Sequence, residues 1–428
     1  MRDPFVNVVM TAGEAMKSEE AAAVAVEPPP PASLVPTTAS ERRNVVLILL
    51  ESTRAQYTTP YDEDLDTTPF LNELAKSSLL AEQAYTVMPT TSKANVAANC
   101  GIAPSTAEPV FGGVMEAVPG GIPTPCLADL LRDQGYNTVF FMSTSKNFEN
   151  FEDLQKNLGY ESFYSEESMP EKDFDFKDDR MLKPSEEWLG NQKESGKPFL
   201  ATYLTYDTHY PYTLPDSYEQ ERFADDEVLN RYLNTIRYQD QWLKNLFEQY
   251  KRLGLYEDTV FVLVGDHGEA FGEHGRSIHG NFLYEEGLSI PLIIHDPKRF
   301  ANGNRVKDPV NQLDILPTVS ELLGYQIEGG AYQGNSLLRP LPKDRTLFFS
   351  CFMEKKCIAS LRGNIKYIHH FGDRSDEVFD LSVDPLEKHN LAEEERGKDL
   401  QKRRNELLAW RSKNANFYRT NLEGSDGQ

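Results

Sequence analysis

Phe261–Gly280, FVLVGDHGEAFGEHGRSIHG, is the stretch that decides the fold. With the two residues before it, Thr259 to Val264 is a run of β-branched and aromatic apolar side chains. Such a run predicts a strand buried on both faces. Gly265 stops it, and Asp266 and His267 stand at its carboxyl end. In open α/β sheets that end is where ligands bind. A carboxylate beside an imidazole offers a divalent cation one hard and one borderline ligand. Gly268, Gly272, Gly275 and Gly280 then permit a tight loop that returns His274 and His279 toward the same place. The plainer alternative is a strand followed by an ordinary polar loop. Against it, three of the eight histidines fall in the thirteen residues after a buried strand. Of these, His274 reads as a surface-loop residue rather than a second contact to the site. His295, His369, His370 and His389 read as structural, because the sequence around them shows no carboxylate–histidine pattern.

Working outward, Glu227 to Leu253 has helical periodicity through Val228, Leu229, Tyr232, Ile236, Trp242, Leu243 and Leu246 and leads into the Thr259 strand. Trp242 reads as core. Ile290–Ile294 is a further strand, and Asp314–Gly324 a helix. Near the beginning, Asn44–Leu50, NVVLILL, is a second buried strand, and it ends at Glu51. A charge there is costly unless it is paired or holds a metal. Thr67–Ser78 reads as a helix with Thr68 as N-cap and Pro69 in its first turn. In MPTTSKANVAANCGIAPS, Thr90, Thr91 and Ser92 precede a short helix over Lys93–Asn99 that Gly101 stops. A hydroxyl at a helix N-terminus suits an anion with a nucleophile beside it; read alone, it is more often an ordinary cap. Leu127–Gln134 reads as a helix, Thr138–Thr144 as a strand, and Pro198–Tyr212 as a strand whose end carries Asp207, His209 and Pro211. Residues 149–187 are acidic and aromatic and suggest no element.

The alternation of strands and helices predicts an α/β fold with a mostly parallel sheet. Three regions are expected. Residues 1–43, with their polyproline run, read as a flexible linker; 44–338 as the catalytic domain; and 339–428 as a subdomain with a small antiparallel sheet and a helix over Glu393–Lys413. The net charge of −23 argues against nucleic acid as a partner, which would need a basic footprint. The sequence contains no run of eighteen apolar residues and no visible signal peptide. Cys351 and Cys357 could close a small disulfide loop or remain two buried thiols; Cys100 and Cys126 show no metal-binding spacing.

Taken together, NVVLILLES, TTPFLNELA, TTSKANVAANCGIAP, DTHYPY, GDHGEAFGEHGRSIHG, QLDILPTVSELLG and EVFDLSVDPLEKHNLA resemble the sulfatase-like branch of the alkaline phosphatase superfamily, in order from Asn44 to Ala392. The resemblance implies a three-layer α/β/α sandwich with a small C-terminal α+β subdomain. It implies Glu51, Asp266, His267 and the Thr91 oxygen as ligands of one divalent metal, zinc or manganese ahead of calcium or magnesium. It also makes Thr91 the nucleophile, where ester-cleaving sulfatases carry a Cys or Ser inside CxPSR. Ser52 stands where many sulfatases have a second Asp, which implies a single-metal site. Lys93, Asn95, His209 and His279 are implied as contacts to the anionic group.

The expected function is hydrolysis of phosphate or sulfate esters through a threonine nucleophile. The alternatives are transfer of phosphoethanolamine or phosphoglycerol to an envelope glycan or lipid, and a catalytically silent fold that binds a partner. The transferases of this branch hang from membrane helices. The Pro-rich linker therefore suggests membrane or envelope association through a further N-terminal segment, and a periplasmic or extracytoplasmic location.

Overall fold

In the computed structural model the described residues are 30–107, 114–169, 176–353, 356–394 and 398–425. Eight strands form the central sheet: β1 (Asn44–Leu50), β2 (Leu79–Ala81), β3 (Asn137–Met142), β4 (Ser162–Tyr164), β5 (Phe199–Leu204), β6 (Thr259–Gly265), β7 (Leu292–His295) and β8 (Asn304–Val306). Their order is β8-β2-β7-β6-β1-β5-β3-β4. Only β7 runs antiparallel to its neighbours in this sheet. The expected mostly parallel α/β sheet is therefore present.

Alternate residues of the central strands feed two cores, as a doubly covered sheet requires. Val45, Leu47, Leu49, Val260, Val262 and Val264 pack on one face with Val96, Leu127, Leu131, Leu316 and Val319. Val46, Ile48, Leu50, Phe261 and Leu263 pack on the other with Leu71, Leu189, Trp242, Leu246 and Phe247. The helices behind those contacts are α1 (Pro69–Ala75), α2 (Thr91–Cys100), α3 (Leu127–Asp133), α4 (Phe151–Asn157), α5 (Leu182–Ser195), α6 (Glu227–Arg252) and α7 (Ile315–Leu322). Helices α1, α5 and α6 cover one face and the others the opposite face, which makes three layers.

Several boundaries differ from the sequence reading. The β5 strand ends at Leu204, and Asp207 and His209 lie in the following loop. Helix α2 begins at Thr91, ahead of the expected Lys93, and stops at Gly101 with φ +61°. Thr68 does precede α1, but its hydroxyl caps nothing within the helix. Asp240 of α6 does so instead, accepting from Phe70 N at 2.8 Å and Leu71 N at 2.8 Å. The segment 149–187 supplies α4, β4 and the start of α5; residues 170–175 lie outside the described residues.

The expected linker 1–43 needs correction where it is described. Ser33–Pro36 pairs antiparallel with Tyr325–Glu328, and buried Arg43 grips Asp296 at 2.7 Å. Residues 1–29 lie outside the described residues.

The C-terminal region is a four-stranded antiparallel sheet, β9 (Thr346–Ser350), β10 (Cys357–Arg362), β11 (Ile365–His370) and β12 (Glu377–Asp380), with a helix α8 (Lys398–Ser425) longer than expected. Both cysteine pairs are disulfides, Cys351–Cys357 and the unforeseen Cys100–Cys126.

Candidate active site at the carboxyl edge of the sheet

Strands β1 and β6 are parallel neighbours, with Leu50 opposite Gly265. The next residues, Glu51 and Asp266, therefore emerge side by side, about 4.8 Å being the usual spacing of paired strands. Both are fully buried, as is His267. One ligand atom from each of Glu51, Asp266 and His267 lies within 4.8 Å of the others. Thr91, the first residue of α2, brings its Oγ1 to 3.2 Å from Glu51 Oε2 and 3.4 Å from His267 Nε2. Four residues spread over about half of the chain thus meet at one point.

The surrounding bonds leave the ligand atoms available. His267 Nδ1 lies 3.0 Å from the Gly268 carbonyl, so its proton sits there and Nε2 presents a lone pair. Burial, then the nearby His279 charge, pushes the His267 pKa well below its usual range and keeps the ring neutral. Asp266 Oδ1 accepts from Ser52 N at 2.8 Å and His267 N at 2.7 Å, whereas its Oδ2 is buried without a hydrogen-bond partner. Burial, then repulsion from Glu51, raises the Asp266 pKa. Among the described residues no lysine or arginine pairs with either carboxylate. An orphaned carboxylate oxygen, a second buried carboxylate and an imidazole lone pair fit a divalent cation. Ser52, in a left-handed conformation at φ +48°, directs its hydroxyl to Glu51 Oε1 at 2.8 Å and so fixes that side chain.

The scaffold reaches further back. Thr205, just beyond β5, accepts from Glu51 N at 2.9 Å. Gln239 of α6 ties Thr205 to Thr53, and Gln312 donates to the Gly265 and Asp266 carbonyls. Gly268 admits no side chain, since a Cβ there would lie 2.2 Å from the Glu286 carbonyl oxygen.

The other predicted contacts divide. The His279 ring lies 3.9 Å from that of His267, with Nδ1 3.3 Å from Glu269 Oε2. Burial opposes charge on His279, but the Glu269 hydrogen bond and carboxylate outweigh it and raise the pKa. His209 is more peripheral, its ring 6.4 Å from His279 and stacked on Tyr206 at 4.8 Å. Buried Asp178 holds the backbone there by accepting from Tyr206 N at 2.8 Å. Lys93 is correctable: its ammonium is buried against Glu116 at 2.6 Å, committed to a carboxylate rather than free for an anion. Asn95 Nδ2 donates to the Thr91 carbonyl at 2.9 Å, which braces the first turn of α2.

Sequence reasoning missed Glu269 and Glu149. The DHGE tetrapeptide signalled the first, since Glu269 lies two residues beyond His267 in the same buried loop. Glu149 lies in the segment that suggested no element. His274 is exposed in the loop, as expected, with Nδ1 2.8 Å from Glu286 Oε1 and Nε2 3.0 Å from the Glu387 carbonyl. His369 and His370 do have carboxylate partners, Asp376 at 2.8 Å and Glu377 at 2.7 Å, supplied across a strand pair that local sequence does not show.

The family model described as Sulfatase matches residues 43–325. The chain belongs to the sulfatase family. A second model, N-sulphoglucosamine sulphohydrolase, C-terminal, matches residues 272–414 of this sulfatase-family protein. Similar curated proteins include the lipoteichoic acid synthase-like YvgJ of Bacillus subtilis, 26% identical over 70% of this chain and 50% of its own length. The lipoteichoic acid synthase of Staphylococcus saprophyticus is 26% identical over 50% of this chain and 34% of its own. The chain therefore spans between a third and half of these relatives. Among solved structures, a protein in the alkaline phosphatase superfamily from Vibrio parahaemolyticus aligns with a TM-score of 0.73 at 21% identity, covering 94% of each chain. The lipoteichoic acid synthase LtaP from Listeria monocytogenes aligns at 0.67 and 18% identity, covering 90% of this chain and 96% of its own. The structural likenesses agree with the three-layer fold.

Proposed function

We propose that this sulfatase-family protein cleaves phosphoesters by transferring the phosphoryl group to Thr91, with one zinc or manganese ion held by Glu51, Asp266, His267 and Thr91 Oγ1. The observation that carries this reading is the approach of the Thr91 hydroxyl to Glu51 and His267 beside the orphaned Asp266 oxygen. Such an ion would lower the hydroxyl pKa and polarise the ester oxygens. The protein's part is to place the nucleophile. Thr91 opens α2, so the positive end of the helix dipole favours the negative charge that develops there.

In the reaction the Thr91 Oγ–phosphorus bond forms while the bond from phosphorus to the leaving oxygen breaks in line. His279, whose charged form Glu269 favours, faces the ester oxygens, with His209 at the mouth. Water or an acceptor alcohol then takes the group from the phosphothreonine and regenerates the hydroxyl. The likeness to lipoteichoic acid synthases favours an acceptor alcohol in an extracytoplasmic setting, whereas the hydrolase reading rests on the family alone. Among the described residues no helix is long and apolar enough to cross a membrane.

Turnover of nitrophenyl phosphate esters and sulfate, with metal analysis of the purified protein, tests the proposal. Thr91→Ala should lower turnover at least about a thousandfold with the fold and metal content retained, and wild type stopped during turnover should carry phosphate on Thr91. Full activity of T91A would remove the assignment. A protein that binds no metal and turns over no ester is a silent fold.

A further inference from the structure

A cleft of about 510 Å³ opens between the catalytic layers and the C-terminal region. Ala103 beyond α2, Leu313 ahead of α7 and the loop around Tyr332 line one side, and β9 and α8 the other. The ten residues of α2 separate its Ala103 side from Thr91, about 15 Å at 1.5 Å per residue. The cleft is therefore distinct from the carboxyl edge of the sheet. Its volume falls within the range of small-molecule sites, roughly 300–1,000 Å³, which favour the seams between domains.

Two buried polar atoms of its lining residues have no hydrogen-bond partner: Arg345 Nη1, a donor, and Asn414 Oδ1, an acceptor. Both side chains are fixed. Arg345 Nη2 donates to the two oxygens of Asp314 at 2.6 and 2.7 Å. Asn414, only 5% exposed, donates from Nδ2 to the Pro104 carbonyl at 2.8 Å, which leaves its Oδ1 as a committed acceptor. Burying such an atom unpaired costs roughly 1–3 kcal/mol, so each calls for a partner from outside the protein. Half-buried Trp410 lies parallel to Phe348 with ring centres 5.3 Å apart, and both rings line the cleft.

We infer that this cleft binds a neutral saccharide, with a sugar ring against the Trp410–Phe348 surface and its hydroxyls shared between Arg345 and Asn414. A hydroxyl both donates and accepts, so adjacent hydroxyls on one ring satisfy the two atoms together. The C–H face of the same ring covers the aromatic surface. An apolar ligand would leave both polar atoms unpaired. An anion would add charge beside a guanidinium that Asp314 already neutralises, and a buried charge without its own partner is costly. Lys413 also lines the cleft, but it is exposed, where an ion pair adds little. The inference does not depend on the chemistry at Thr91.

Titration of the protein with cellobiose, maltotriose and N,N′-diacetylchitobiose tests this, beside glucuronate as the anion and N-acetyl-triglycine amide as the peptide. Trp188 and Trp242 are buried, so a change in tryptophan fluorescence reports Trp410, and calorimetry gives the affinity. At least one neutral sugar should saturate one site per chain at millimolar concentration or below, without dependence on salt. Trp410→Leu and Asn414→Leu, each confirmed folded by its melting curve, should each weaken that binding about tenfold. A measurement in wild type needs no variant: the bound sugar should slow amide exchange in residues 410–414 and leave 91–95 unchanged. Saturation by none of the sugars, tighter binding of glucuronate or of the peptide than of every sugar, or affinity unchanged in either variant overturns the inference. Protection confined to 91–95 places the sugar at the reaction centre and overturns it as well.

Discussion

Glu269 acts through His279. Its carboxylate holds the imidazole beside His267 and favours the charged form of the ring, but it contributes no atom to the Glu51–Asp266–His267 group. Glu269→Gln should lower kcat about tenfold with metal content unchanged, a difference that kinetics paired with elemental analysis would register. His295 illustrates a residue whose effect is on stability alone. Its Nδ1 meets Ser77 O at 3.1 Å and its Nε2 the Tyr256 hydroxyl at 2.6 Å, a pattern suited to the neutral ring. Burial lowers its pKa from 6.5 to about 4. The unfolded chain then binds the proton more tightly, so stability is full above pH 6.5 and declines as pH falls toward 4. The loss is on the order of 3 kcal/mol. Denaturant melts of wild type and His295→Gln across that window should differ in slope, with the variant flatter.

At the scale of elements, two connections fix helices that carry or flank the site. Asp240 caps α1 from the middle of α6, so Asp240→Ala should cost about 1–2 kcal/mol and loosen α1 first, visible as faster amide exchange at Phe70 and Leu71. The Cys100–Cys126 disulfide joins the last residue of α2 to the N-cap of α3 across 26 residues. Cys126→Ser should lower stability by roughly 3 kcal/mol and release the C-terminal end of the helix that begins at Thr91. Neither connection was legible beforehand. Continuous apolar runs announced β1 and β6, and a charge at the end of each announced Glu51 and Asp266, because burial on both faces leaves a local signature. A cap from residue 240 to residue 70, a pairing of Ser33–Pro36 with Tyr325–Glu328, and a strained turn at Glu149, φ +42°, that meets Ser92 N leave none. Their partners are distant in sequence and meet only once the sheet has closed. His369 and His370 differ, since their acids lie only seven residues on and face them across one hairpin.

Across the whole molecule, the catalytic layers and the C-terminal sheet meet at a buried lysine. Lys366 on β11 is fully buried, 3.0 Å from Glu285 Oε1 and 2.8 Å from Glu387 Oε1. His274 spans the same seam through Glu286 and the Glu387 carbonyl. The seam therefore backs the loop that carries His267 and His279. Lys366→Met would leave the buried Glu387 carboxylate facing the partly exposed Glu285 without a cation and should cost about 3 kcal/mol. Limited proteolysis should then release the C-terminal region well before the central sheet is cut.

The adjacency of β1 and β6 has an energetic corollary. Backbone spacing sets Glu51 and Asp266 against each other in a dry interior, where like charges repel strongly. Once chelator has removed the proposed ion, that repulsion works like a compressed spring at the top of the sheet. Chelated protein should melt at a lower temperature than loaded protein, and added zinc or manganese should restore the loss in proportion to the logarithm of its concentration. Assembly of the fold and capture of its ion would then be one thermodynamic event, with the cation serving as a rivet between neighbouring strands.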